Sequence, residues 1–279
     1  MHPLSFLYYS SYWVILIHIL YLWCSIKLPC SCLALTPHNI FKCDRPYLAL
    51  VTEPDAASSV GRRLETVQVV KSALLVGKDV VNLISVRVDD DLDDRMLLLK
   101  DVVDVRNSVG GNEGVKIVLN VSGEDDWKAI KLALHYGADG IHVKERNWQS
   151  IPNIRSELEG NFIIGTSCHS VESAIRAAKV GCNYMFVGTC FPTLTHPEKG
   201  ADDLEGPQLV QDIRLALNRE GYDHILCFAI GGINVDNCNI PVSEYKADGV
   251  AAIRSITAST DPGQSAKSMK VRMQKSSLG

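Results

Sequence analysis

The stretch VKIVLNVSGEDDWKAIKLALHYGADGIHV, residues 115–143, decides the fold. Val115–Val121 is almost wholly apolar and rich in β-branched residues, which reads as a strand buried on both faces. From Glu124 to Tyr136, Trp127, Ile130 and Leu134 recur at spacings of three and four, the period of a helix with one dry face. Gly137-Ala138-Asp139-Gly140 ends that helix, and Gly140–Val143 reads as a second strand. Strand, helix and strand in so short a span make a βαβ unit, with both strands parallel in one sheet.

The same rhythm extends in both directions. Upstream, Pro46–Thr52 reads as a strand, Val60–Val76 as a helix, Asp79–Val88 as a strand and Asp89–Val109 as a helix with an acidic start. In the first of these helices Leu64, Val67, Val70 and Leu74 form the apolar face. Downstream, strands at Phe162–Thr166, Tyr184–Gly188, Ile225–Ile230 and Gly249–Ile253 alternate with helices near Ile151–Leu158, Val171–Ala178, Pro207–Leu217 and Val235–Lys246, and a last helix begins at Pro262. Eight strand–helix units without a composition break predict an α/β fold, a single (β/α)8 TIM barrel over residues 45–275 with a tail at 276–279. The competing open sheet would carry a GxGxxG turn after its first strand, where this chain has Glu53-Pro54-Asp55.

Residues 1–44 differ in kind. They hold only Lys27, Lys42 and Asp44 among Lys, Arg, Asp and Glu, and residues 6–28 are strongly apolar. That leader reads as a membrane anchor, an atypical targeting segment or a wrongly assigned start, outside the barrel in each case. It leaves localisation open between an organelle, plastid or mitochondrion, and the cytoplasm, with membrane attachment through residues 6–28 alone. With 28 basic against 32 acidic residues the chain has a net charge of −4, which excludes a general nucleic-acid binder but not a local phosphate site. Nine dispersed cysteines, with neither CxxC spacing nor a Cys/His block, read as small core residues rather than a disulfide framework or zinc site. Asp89-Asp90-Asp91 with Asp93 and Asp94 reads as a solvated helix start rather than a cation site, and no metal ligand is assigned.

Barrel chemistry sits at the carboxy-terminal strand ends. There Gly231-Gly232 follows the seventh strand and Ile253-Arg254-Ser255 the eighth, two loops able to offer backbone N–H groups to one phosphate. A plain tight turn is the competing account of the glycines. Asn120 ends the third strand, Ser167-Cys168-His169 the fifth, and Thr193, Thr195 and His196 lie in the loop after the sixth. His169 can exchange protons near neutral pH or merely cap the next helix, and His142 faces either the barrel interior or the helices.

Gly137-Ala138-Asp139-Gly140-Ile141-His142-Val143, Ile164-Gly165-Thr166-Ser167-Cys168-His169-Ser170, Val187-Gly188-Thr189-Cys190-Phe191-Pro192-Thr193, Ala229-Ile230-Gly231-Gly232-Ile233 and Ala247-Asp248-Gly249-Val250-Ala251 occur in one order. With them the chain resembles the thiamine-phosphate synthase/thiazole tautomerase (TenI) superfamily over about residues 45–275. The resemblance implies a barrel that binds a phosphorylated thiazole or related thiamine intermediate. In the synthase it also implies a pyrimidine pyrophosphate with Mg2+. Here the synthase's Gln-x-Arg-Glu-Lys strand reads Asn82-Leu83-Ile84-Ser85-Val86, with Arg87 a weak substitute, and its magnesium-side motifs read Asn120-Val121 and Glu145-Arg146-Asn147. Those departures favour a metal-free, tautomerase-like isomerase with His169 as general acid/base and no cofactor. Asn120, Ser167, Thr193, Thr195, Gly231, Gly232, Ile253 and Arg254 then hold substrate and phosphate. A synthase-like transferase using Mg2+, and a non-catalytic barrel binding a thiamine intermediate or a partner protein, are the alternatives. A homo-oligomer fits any of the three.

Overall fold

Short apolar strands separated by helices have their lowest-energy arrangement as a parallel sheet covered on both faces. The computed structural model describes residues 40–41, 43–89, 91–110, 114–158, 162–194 and 200–277, all within one unit, Leu35–Gly279. Eight parallel strands pair in chain order and close on themselves: β1 (Tyr47–Val51), β2 (Leu83–Val86), β3 (Lys116–Val121), β4 (Gly140–Val143), β5 (Ile163–Cys168), β6 (Tyr184–Val187), β7 (Leu226–Ile230) and β8 (Gly249–Ala252). Around them run α1 (Val60–Leu75), α2 (Leu92–Ser108), α3 (Trp127–His135), α4 (Ile151–Glu157), α5 (Val171–Lys179), α6 (Gln208–Arg219), α7 (Asn239–Ser243), α8 (Arg254–Thr257) and α9 (Pro262–Ser277). The predicted barrel is the observed one. The predicted leader, residues 6–28, lies outside the described residues, and among those residues no helix is long and apolar enough to cross a membrane.

Alternation along each strand divides the core in two. Tyr47, Ala49, Val51, Leu83, Val118, Ile163, Tyr184, Phe186, Leu226, Phe228 and Ala251 fill the barrel interior. Their neighbours, such as Leu48, Leu50, Ile84, Ile117, Leu119, Ile141, Ile164 and Met185, pack outward on the helices. Ile40 and Phe41, counted with the leader in the sequence reading, belong to the inner cluster, and the Phe41 ring lies 4.6 Å from that of Tyr47. Gly165 is glycine for volume: a Cβ there would enter the Tyr184 ring, which crosses the barrel interior.

The periodic reading holds for Val70 and Leu74 of α1, Ile130 of α3 and Ala174 and Ala178 of α5, which are buried, and departs at residues beside them. α1 buries Thr66, Val70, Ala73 and Leu74, while Leu64 is 53% exposed. Small residues let the helix lie close to the barrel, and Thr66 satisfies its hydroxyl by donating to the carbonyls of Arg62 and Ala56. In α3 and α5 the buried face is likewise set by alanines, Ala129 and Ala133 in one, Ala174, Ala177 and Ala178 in the other. Hydropathy patterns weigh large residues, but close helix–strand packing selects small ones.

The acidic run is a helix start. Asp91 caps α2, its carboxylate accepting from the N–H groups of Asp93 and Asp94. The described cysteines are free thiols, and Cys168, Cys182, Cys190, Cys227 and Cys238 are buried. Burial pushes the thiol of Cys190 up to about 12 and that of Cys238 up to about 11, so neither is a thiolate at neutral pH.

Candidate functional site

The carboxy-terminal mouth holds two adjoining cavities. The first, about 450 Å³, is lined by Ser167, His169, Thr193, Gly231, Gly232, Ile253 and Arg254, together with Arg87, Phe186 and Thr189. Seven residues singled out from four separate strand ends therefore share one cavity. Asn120 belongs to the second, about 320 Å³, with Arg87, Asp89, Arg95, Asp126 and Lys144. Thr195 lies outside the described residues. Arg87, weighed as a weak substitute in the sequence, lines both cavities.

The glycine pair is required by conformation and by crowding. Gly231 and Gly232 have φ of 95° and 64°, where other residues are strained. A side chain on Gly231 would strike Thr189, and one on Gly232 the carbonyl oxygens of Phe191 and Pro192. The two loops interlock: Cys190 N–H donates to Ile230 O at 2.9 Å and Phe191 N–H to Gly231 O at 3.0 Å. Asn237 Nδ2 holds Gly232 O at 2.9 Å. Across the cavity the chain turns after β8 into the short α8, which the sequence reading missed because four residues are too few for a period. Among the described residues, the N–H groups of Gly232, Ile233, Arg254 and Ser255 meet no protein acceptor. Two loops with open donors, beside the Arg254 guanidinium, suit a doubly charged oxyanion.

His169 stands between two carboxylates. Its Nδ1 lies 3.2 Å from Glu205 Oε1 and its Nε2 3.8 Å from Glu145 Oε2. The second oxygen of each carboxylate fixes backbone: Glu145 Oε1 accepts from His169 N–H at 3.0 Å, and Glu205 Oε2 from Thr189 N–H. Because both carboxylates are anchored, the 44%-exposed imidazole has fixed proton partners and remains open to the cavity. A capped-helix role goes elsewhere: Ser170 caps α5, accepting from Ser173 N–H at 3.1 Å.

His142 points into the barrel. Its Nδ1 is 2.9 Å from Tyr184 Oη, its Nε2 is 3.0 Å from Ser167 Oγ, and its ring stacks on Phe186 with centroids 4.6 Å apart. Complete burial, with Arg87 as the lesser cause, pushes its pKa down to about 3, so the ring is neutral across the working range.

In the second cavity Arg95 is held by Asp126 at 3.2 Å and by Asn120 O at 3.1 Å. Burial works to raise the Asp126 carboxyl, but the Ser122 N–H and Arg95 bring it below the usual range. Asn120 Oδ1 takes the Ser85 hydroxyl at 2.6 Å. The Arg87 guanidinium and the Lys144 ammonium have no ionic partner among the described residues. Also among those residues, no three His, Cys, Asp or Glu side chains gather as a metal nest.

The family model of thiamine monophosphate synthase matches residues 48–256. Thiamine-phosphate synthase of Bacillus licheniformis is 35% identical over 145 residues, 52% of this chain and 60% of that protein. That of Bacillus velezensis is 32% identical over 187 residues, 67% of this chain and 74% of that protein. The matched stretch thus spans less than two thirds of the first relative and about three quarters of the second. Among solved structures, thiamine phosphate pyrophosphorylase from Pyrococcus furiosus superposes with a TM-score of 0.63 at 22% identity, covering 84% of this chain and 97% of that one. A 3-hexulose-6-phosphate synthase does so with a TM-score of 0.55 at 13% identity, covering 82% and 100%. These structural likenesses establish the barrel.

Proposed function

Because the chain belongs to the thiamine monophosphate synthase family, we propose that it is an enzyme joining a thiazole phosphate to a pyrimidine carbon as pyrophosphate departs. The relatives, named as synthases, support this transferase reading over the isomerase favoured by the sequence departures alone. The observation that carries it is the pair of adjoining cavities sharing Arg87. Two anion seats side by side fit two phosphorylated substrates held for one transfer.

In this reading the open N–H groups of Gly232, Ile233, Arg254 and Ser255 hold the thiazole phosphate. Arg87 and Lys144 face the pyrophosphate, whose negative charge grows as its bond to carbon breaks. The apolar wall of Phe186, Ile230 and Ala251 seats the heterocycles and keeps water from the reacting carbon. The family's magnesium was weighed against the side chains present. Asp126 is committed to Arg95 and Ser122, the Asn120 carbonyl to Ser85, and Glu145 to the His169 N–H. Among the described residues that leaves Asp89 as the one uncommitted carboxylate of the cavity, a donor set too poor for a resident metal beside two cations, and neutralisation is assigned to Arg87 and Lys144. Assay of thiamine phosphate formation from the two substrates, with magnesium and with chelator, tests the proposal. Product is expected in both conditions; no product in either would sink the transferase reading, and strict magnesium dependence would overturn the cationic clamp.

A second reading rests on His169. An imidazole open to a phosphate-binding cavity and oriented by two fixed carboxylates is suited to moving a proton around a thiazole ring. Tautomerisation measured on the same preparation is expected to fall by about 10²–10⁴ in His169→Ala, the usual worth of a general acid/base. An unchanged rate would remove His169 from that role.

A further inference from the structure

Three side chains form a line from the barrel interior to the cavity: Tyr184, fully buried; His142, 2% exposed; and Ser167, which lines the cavity wall. Tyr184 Oη is 2.9 Å from His142 Nδ1, and His142 Nε2 is 3.0 Å from Ser167 Oγ. A turned-over ring would put carbon atoms at both contacts, so the ring orientation is determined.

A neutral imidazole has one N–H donor and one bare nitrogen, so the line runs in one of two directions. Running inward, Ser167 O–H donates to Nε2 and Nδ1–H donates to Tyr184 Oη. The phenol proton is then stranded, because Tyr184 has no second polar partner among the described residues. An unmet buried donor costs roughly 1–3 kcal/mol. Running outward, Tyr184 O–H donates to Nδ1 and Nε2–H donates to Ser167 Oγ. The Ser167 proton is left facing the cavity, where solvent or ligand accepts it. Only the outward direction satisfies every buried donor.

We infer that Tyr184 and His142 form a polarised relay which fixes Ser167 as a hydrogen-bond donor, so that the mouth selects ligands presenting an acceptor atom there. Within the proposed function the acceptor is an oxygen of the phosphorylated thiazole, whose ring nitrogen stays free to attack the pyrimidine carbon. A ligand presenting only an N–H or O–H at that point can use the remaining lone pair of Ser167 Oγ but leaves the Ser167 proton without an acceptor, and is disfavoured. Tyr184 and His142 are positioning residues, since neither reaches the cavity wall. The relay also accounts for a full-size tyrosine inside the barrel, opposite a glycine at Gly165 that exists to admit its ring.

The experiment has two arms on the purified full-length chain. The first reads the His142 imidazole by nitrogen-15 NMR after histidine labelling, its signals assigned by their loss in His142→Gln. A protonated Nε2 and bare Nδ1 are expected in the wild type, and Tyr184→Phe should shift the Nδ1 signal, which loses its donor, while Nε2 stays protonated. A protonated Nδ1 in the wild type would overturn the relay, and this arm depends on no assumption about substrate. The second arm measures the Kd for a thiazole phosphate. Ser167→Ala should weaken binding about tenfold and Tyr184→Phe by a smaller factor, since it removes only the polarising phenol, and the double variant should be no weaker than Ser167→Ala alone, because both act through one proton. Additive losses, or none, would overturn the selection role even where the tautomer is as expected. A wild-type chain that binds no thiazole phosphate points instead to the proposed function, with the first arm still deciding the relay.

Discussion

At the amino-terminal end of the barrel four side chains do one job four times, whereas at the mouth no two strand ends do the same thing. Each even-numbered strand is preceded by Asn or Asp, and each of these accepts the N–H of the strand before it. Asn82 takes Leu48 at 2.9 Å, Asp139 takes Ile117 at 2.9 Å, Asn183 takes Ile164 at 2.8 Å and Asp248 takes Cys227 at 2.7 Å. Each also binds a cation from a helix: Arg106 of α2, Arg155 of α4 and Arg214 of α6, from the helix that leads into that earlier strand, and Lys270 from the last helix, α9; Asp139 takes Lys116 and Asp248 takes Arg45 as well. Repetition at this end is a property of closure, since every odd–even strand pair poses the same unsatisfied backbone. Variety at the mouth is a property of chemistry, since donors, cations and a histidine must face different parts of a ligand.

The largest way to break the comparison is at the closed end. Asp248 is 2% exposed and faces Arg214 and Arg45 as well as the Cys227 N–H. Asp248→Ala leaves a mostly buried guanidinium and a buried N–H without their acceptor, and should destabilise the fold by about 3–5 kcal/mol. Urea denaturation would show it as a lowered midpoint. Asn183→Ala removes a neutral clamp of the same shape and should cost less, about 1–3 kcal/mol. Equal losses would mean that charge adds nothing to the repeat.

The next effect tests the mouth's dependence on a neutral His142. Its folded pKa, about 3, lies below the unfolded value near 6.5. Between these values the unfolded chain binds a proton that the native state refuses, so stability present above pH 6.5 falls as the pH drops towards 3. The slope should approach about 1.4 kcal/mol per pH unit. Urea midpoints taken from pH 7 to 4.5 should show this slope in the wild type and a flatter one in His142→Gln; parallel curves would place the acid sensitivity elsewhere.

How far this division was legible in the sequence follows from what each end requires. Strand order, closure and the cavity of Ser167, His169, Thr193, Gly231, Gly232, Ile253 and Arg254 follow from periodicity and motif positions, because a parallel barrel sends every strand end to one face. Asn120 lines the adjoining cavity instead, because neighbouring strand ends around a ring face different parts of the mouth. Arg87 was undervalued, since it stands beyond the last residue of β2 and only the register shows it facing inward with Ser85. The Asx repeat escaped notice because Asn82, Asp139, Asn183 and Asp248 are unevenly spaced along the chain, and because an Asp before a strand reads as a mere turn residue. On the helices Val70, Leu74, Ile130, Ala174 and Ala178 were legible, whereas Leu64 points outward and Thr66 and Ala73 take the close contacts that hydropathy weighs little.

A smaller effect sharpens the mouth itself. Gly232→Ala places a methyl group against the carbonyls of Phe191 and Pro192 at a φ of 64°. The local strain, about 1–3 kcal/mol, is relieved by moving the loop that offers the phosphate donors. Thiazole phosphate binding should weaken at least tenfold while the urea midpoint moves little. A large stability loss with unchanged affinity would return the glycine pair to a plain tight turn.

The smallest effect separates the four clamps from one another. Lys270 is 4% exposed and donates to Pro46 O at 2.6 Å and Asn82 Oδ1 at 3.1 Å, so its partners are neutral oxygens. Burial lowers its pKa, the mark of a charge whose desolvation is incompletely repaid. Lys270→Met deletes that charge at nearly constant volume, and Asn82 Oδ1 keeps the Leu48 N–H. The net change should lie within about 1 kcal/mol, since an uncharged replacement of similar volume is often neutral. Arg214→Met is the same exchange at the neighbouring clamp, yet it leaves the buried Asp248 carboxylate without its best-buried cation and should approach the loss seen in Asp248→Ala. A four-fold geometry thus need not be a four-fold energy: where the Asx is ionised the cation is required, and where it is an amide the cation can be replaced by hydrocarbon.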